Sequence, residues 1–70
     1  MKTRKFKVLD SSGLGFGINF DGMILELNCE NAHGIPDYYA FKQPPFDNNG
    51  KPCYGFVCLD AKNVEEIYEI

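Results

Sequence analysis

Seventy residues allow a single domain, 1–70, with no room for a catalytic unit beside a regulatory one. Hydrophobic residues make up 44% of the chain and aromatics 14%, a composition that excludes disorder. The net charge of −3 hides an asymmetry: Lys2, Arg4, Lys5 and Lys7 are four of the seven cations, so residues 8–70 hold three cations against ten carboxylates, a net of −7. An acidic body of this kind repels phosphate backbones and suits a basic protein surface.

In chain order, Met1 to Lys7 is cationic but lacks the apolar stretch of a secretion signal. The longest apolar run, Met23-Ile24-Leu25, is too short to cross a bilayer, so the expected location is the cytoplasm and no membrane partner is expected. The odd count of three cysteines fits a reducing compartment. Lys5 to Leu9 reads as a first strand, closed by the turn residues Asp10-Ser11-Ser12-Gly13. Residues 14–29 read as a central β-hairpin, with Asp21-Gly22 as a two-residue turn of the primed type. Pairing around that turn sets Phe20 opposite Met23, Ile18 opposite Leu25, Phe16 opposite Leu27 and Leu14 opposite Cys29, all on one apolar face. Gly15, Gly17, Asn19, Ile24, Glu26 and Asn28 share the other face.

Residues 29–37 form a polar loop, and Tyr38 to Lys42 is an aromatic-rich strand. Residues 43–52 are a loop with turn signals at Pro44-Pro45 and Asn49-Gly50, and 54–59 completes a second hairpin with 38–43. Asp60 caps a helical turn over 61–66, followed by a short terminal strand. The expected fold is mostly β, with four to five short antiparallel strands and a short C-terminal helical turn that gives it a small α+β component.

The ligand-type residues fall in two pairs, Cys29-x3-His33 and Cys53-x4-Cys58, with no Cys or His left over. Zinc takes four such ligands in a tetrahedron, and a chain this short often carries a staple, so the set predicts one structural zinc. Residues five apart on a regular strand face opposite ways, so the second pair needs a bulge or turn at Gly55. Taken singly, the thiols also read as small core residues and His33 as a loop residue. Catalysis is not expected. One Cys–His pair without an orienting third group, in a sheet with little room for a cleft, does not make a nucleophilic site. Gly13-x-Gly15-x-Gly17 runs into a strand rather than a helix, so it is no dinucleotide fingerprint, and Asp47-Asn48-Asn49-Gly50 lacks the oxygens of a calcium loop.

The effector surface expected from these residues is the hairpin tip: Phe20, Asp21, Gly22, Met23 and Ile24, with Ile24 apolar on an otherwise polar face. The chain then reads as a small non-catalytic protein-binding module that occludes a partner. Small, acidic, without catalytic apparatus and with a metal staple, it resembles in general character the phage-encoded inhibitors of host defence proteins, anti-CRISPR proteins among them. That resemblance implies a host protein such as a CRISPR nuclease as partner and assigns no residue a role. Two fragments suggest another class. Lys5-Phe6-Lys7 with Gly15-Phe16-Gly17-Ile18 resembles the opening strands of cold-shock domains, and Tyr54-Gly55-Phe56-Val57 is similar to the middle of an RNP1 motif. They imply a single-stranded nucleic-acid binder of cold-shock or OB type, but the cations cluster at 2–7, and direct nucleic-acid binding is not expected. A structural accessory subunit is the third reading.

Overall fold

The computed structural model describes residues 3–15 and 17–68. Five strands, β1 (Lys5–Val8), β2 (Ile24–Cys29), β3 (Tyr38–Lys42), β4 (Phe56–Asp60) and β5 (Val64–Ile67), form one antiparallel sheet in the order β4-β3-β2-β1-β5. Short 3-10 turns at Ser12–Leu14, Ala32–Gly34 and Ala61–Asn63 are the only helical pieces among the described residues. None is long and apolar enough to cross a membrane. The expected mostly-β fold and the C-terminal helical turn followed by a strand are both present. The turn is shorter than expected, and the strand begins at Val64.

Alternation explains which strands pair. β1 reads charged, apolar, charged, apolar, so Phe6 and Val8 turn inward while Lys5 and Lys7 face water. Phe6 pairs with Leu25, and Phe41 with Val57, continuing one apolar face across the sheet. Phe6, Tyr39 and Phe41 meet on that face, with ring centroids 5.3 to 6.2 Å apart.

The chain passes from β4, at one end of the strand order, to β5 at the other through only Ala61–Asn63. A flat sheet would separate those edges by roughly 19 Å, whereas the link spans at most about 15 Å. The sheet is therefore rolled, with its apolar face inside. Phe20 fills the roll at 0% exposure, against Phe6, Val8, Leu25, Phe41 and Val57.

The expected hairpin over 14–29 is not the one formed. β2 is its second arm, but it lies between β3 and β1, and in place of the expected first arm it pairs with β1: Lys5 faces Glu26 and Lys7 faces Ile24. The first arm fails because Gly15 and Gly17 hold φ of 72° and 70°, a left-handed backbone that no strand uses. The expected pairing partner Phe16 lies outside the described residues. A turn forms at Asp21-Gly22, with the Met23 N–H donating to the Phe20 carbonyl at 2.9 Å, but it is not the expected primed type: only Gly22, at φ 79°, has the positive φ that such a turn needs at Asp21 as well. It closes a wide loop onto the end of β1, where the Gly22 N–H donates to the Val8 carbonyl at 2.8 Å.

That loop and the continuation of the β3–β4 hairpin cover the core together. Asp47, buried at the hairpin's tip, accepts backbone N–H bonds from Asn19 (3.1 Å), Asn49 (2.9 Å) and Lys51 (2.8 Å). Asn48 Nδ2 donates to the Asp21 carbonyl at 2.8 Å, and Asn49 Nδ2 to that of Gly17 at 2.9 Å. Desolvation pushes the Asp47 carboxyl up, but the N–H groups of Lys51, Asn19 and Asn49 together hold it below the usual range.

Candidate protein-binding edge

The expected effector tip is anchored rather than projecting. Phe20 is in the core and Met23 is half-buried against it. Asp21 Oδ1 accepts both the N–H and the hydroxyl of buried Ser11 at 2.7 Å, and Ser11 Oγ accepts the Phe20 N–H at 2.9 Å. Gly22 is exposed but tied to Val8. Ile24 is exposed, yet it stands on the outer face of β2 opposite Lys7, not on a tip.

The four candidate zinc ligands are not brought together. Cys29 and Cys58 both pair with Ala40 of β3, one from each side. His33 is exposed in the Ala32–Gly34 turn that packs on β3. Cys53 sits on the opposite side, packed against the core, with its thiol donating to the Lys51 carbonyl at 3.4 Å. Among the described residues no group of three or more His, Cys, Asp or Glu is placed to hold a metal ion. A tetrahedral ion needs all four at bonding distance, and the sheet stands between Cys53, packed on its core face, and Cys29 and Cys58 on the other.

The two open edges of the sheet are chemically unlike. On β5, pairing of Leu9 N–H with the Asn63 carbonyl sets the alternation, so the backbone groups of Val64 and Glu66 point outward. Glu66 there accepts two bonds from Arg4, from Nε and Nη2, both at 2.8 Å, while Arg4 also bonds Glu30. Arg4 lies over the Phe6 ring, 5.4 Å from its centroid. Hydrogen bonds and charge from Arg4 hold the Glu66 carboxyl below its usual range, against a smaller effect of desolvation.

On β4, Gln43 N–H donates to Gly55 O and Ala61 N–H to Asp37 O, so residues 55, 57, 59 and 61 bond toward β3. The backbone groups of Phe56, Cys58 and Asp60 therefore point away from the sheet. Only Phe56 O has a side-chain donor, Gln43 Nε2 at 3.0 Å. Asp60 is the single charge of the strand Phe56-Val57-Cys58-Leu59-Asp60. Phe56 is 59% exposed, and Tyr54 and Phe46, on the irregular continuation of the hairpin, are 85% and 57% exposed. A groove runs along this edge, with Gly13, Leu14 and Asn63 as its far wall. Beside it, burial pushes the Tyr38 phenol up, and Cys58 and Asp60 push it further, so it remains a neutral donor.

The sequence places an apolar strand at 54–59 but does not say which of its sides lacks a neighbour. The absence of any lysine or proline within residues 54–59, the usual guards of an edge, is the signal that was there to read, although Lys51-Pro52 and Lys62 stand a few residues outside it. Comparison with protein-family models, curated proteins and solved structures finds no match.

Proposed function

We propose that this chain is a small non-catalytic protein-binding module whose docking element is the edge of β4, with Tyr54 and Phe56 as its apolar anchors. The observation that supports this reading is the unguarded edge: outward-pointing backbone groups at Phe56, Cys58 and Asp60 on an apolar strand flanked by exposed aromatics. An extended partner segment adds to such an edge by main-chain hydrogen bonds and draws specificity from its side-chain neighbours. The general resemblance to phage-encoded inhibitors makes a host nuclease a candidate partner, blocked by occlusion, with β4 in the role first given to the hairpin tip.

Nucleic-acid binding has less support. Lys5, Lys7 and Lys42 share the outer face of the sheet, but Glu26 and Glu65 interrupt them, and Lys42 Nζ is 3.0 Å from Glu26. The test is amide hydrogen exchange on the full chain with and without a captured partner. Exchange at Phe56, Cys58 and Asp60 should slow on binding. Protection confined to β5 or to the outer face would place the docking surface elsewhere.

A further inference from the structure

We infer that the groove along β4 takes one short extended peptide segment, antiparallel to β4, with a lysine or arginine opposite Asp60 and apolar side chains turned inward between β4 and Leu14. The inference rests on the reading of β4 as a docking edge and goes further by giving the direction, pattern and charge of the segment that docks. The far wall of the groove, Gly13, Leu14 and Asn63, belongs to this chain and leaves about 440 Å³ between itself and β4. A methyl group at Gly13 would meet no atom within 4 Å, so the wall stands clear. That space is the size of a small-ligand site, and it admits a single strand but not the edge of a second sheet. Five residues of β4 run about 13 Å, so about five partner residues lie alongside.

Backbone groups set the direction. Cys58 offers its N–H and carbonyl outward, whereas Phe56, with its carbonyl on Gln43 Nε2, offers its N–H. Every strand pair of this sheet is antiparallel, and antiparallel pairing is the slightly stronger kind, letting one partner residue exchange both bonds with Cys58. Val57 and Leu59 are buried, so partner residues opposite them turn inward, where Leu14 packs on the core. Residues opposite Cys58 and Asp60 face out. The Asp60 end is acidic: Asp37 O accepts the Ala61 N–H at 2.8 Å, and the Asp10 N–H donates to Asn63 O at 3.2 Å, which ties two more carboxylate residues to the turn after β4. Among the described residues none of these three carboxylates is in an ion pair, and Lys62 is the turn's own cation. A cation opposite Asp60 gains a cross-strand pair there, while a carboxylate is repelled.

The probe is the end-capped peptide Lys-Val-Thr-Val-Thr, titrated into the isotope-labelled full chain and followed by amide NMR. Its lysine falls opposite Asp60 and its valines opposite Leu59 and Val57. Shifts should centre on Phe56, Cys58 and Asp60, with Kd of roughly 0.1–2 mM for so short a seam. Glu in place of the peptide's Lys should weaken binding about 3- to 10-fold. The reversed peptide, Thr-Val-Thr-Val-Lys, has the same charge but sets Lys opposite Phe56, and it should bind about 2- to 5-fold more weakly. Asp60→Asn should cost the first peptide a similar factor. Asp60 makes no side-chain capping bond, so this variant should fold; circular dichroism checks it, and otherwise the three peptides decide. Equal affinity of the Lys and Glu peptides overturns the charge preference, and equal affinity of the forward and reversed peptides overturns the direction. Shifts centred away from β4, or none up to about 5 mM, overturn the groove as a peptide site. Hydrogen exchange with a captured partner then separates the two levels. Slowed exchange at Phe56, Cys58 and Asp60 would mean that only the segment's chemistry was wrong, and unchanged exchange that the docking edge itself is wrong.

Discussion

The two edges of this sheet solve the same problem in opposite ways. Both turn a row of backbone groups outward, with Phe56 O on β4 met by Gln43 Nε2, and such a row is a template for another chain. At β5 the row carries adjacent carboxylates, and Arg4 clamps Glu66 across the end of the sheet. At β4 it carries Phe56, Cys58 and a single terminal Asp60, beside Tyr54. The rolled sheet brings these edges near each other at the Ala61–Asn63 link, yet only one is defended. Guarding one edge and leaving the other apolar would direct association to a single strand, and this chemical difference is what the proposed function rests on.

Removing Phe20 tests what the two edges share. The ring supports the inner face beneath β1, β2, β3 and β4, so Phe20→Ala should cost about 3–5 kcal/mol, comparable to the whole stability of so small a domain. Both edges should be lost together, seen as a collapsed urea transition. A folded Phe20→Ala protein with an unchanged midpoint would mean that the loop is not part of the core.

A cut at the Asp47 latch should separate the edges. Asp47 orders the continuation of β3–β4 and ties it to the loop at Asn19, while β5 pairs with β1 at the other end of the strand order. Asp47→Ala leaves three part-buried N–H groups without their acceptor and should lower Tm by about 5 °C, with amide exchange at β4 rising before that at β5. Equal loss of protection on both edges would show that the latch holds the whole roll.

Acid should act on both sides. Arg4 holds Glu66 below its ordinary range, and the backbone N–H groups, outweighing desolvation, do the same for Asp47. In the unfolded chain these groups take up protons at ordinary carboxylate pH, near 4, while the folded chain resists. Their contribution is thus complete above that range and is lost as pH falls through the lower folded values. Urea midpoints should be flat from about pH 7 to 5 and decline below about 4.5, and Glu66→Gln should flatten part of that decline. An unaltered profile in Glu66→Gln would mean that the clamp contributes nothing, as exposed ion pairs often do.

Much of the fold was legible because alternation reports burial directly. Lys5–Val8, Tyr38–Lys42 and Phe56–Asp60 fall within a residue or two of the expected strands, and residues 38–42 and 56–60 pair as expected. The hairpin at 14–29 misled because its apolar periodicity was genuine: Phe20 and Leu25 are both buried. Gly15 and Gly17, expected on the outer face of a strand, instead mark a loop that reaches the core by turning rather than by pairing. Cysteine spacing misled for a related reason. It counts positions along the chain, while the side of the sheet on which Cys53 falls depends on how the continuation folds over. Elemental analysis of protein made without a His tag should find zinc well below one per chain. A value near one would require Cys53 to reach the side of the sheet that holds Cys29 and Cys58.

The smallest expected effect is at Ile24, and it is informative for that reason. Ile24 is an exposed apolar residue on β2, two strands from β4, and its cross-strand neighbour is Lys7. Ile24→Asp loses strand propensity worth up to about 1 kcal/mol but gains an opposite-charge pair worth about 0.2–1 kcal/mol, so the terms nearly cancel. Stability should change by less than about 0.5 kcal/mol, and partner binding should be unchanged. Calorimetry of this variant beside Phe56→Asp therefore compares two exposed hydrophobic residues of the same sheet. Weakened binding by Ile24→Asp with Phe56→Asp silent would move the docking surface from the β4 edge to the outer face around Lys7. Weakening by Phe56→Asp alone would leave the unguarded edge as the functional one.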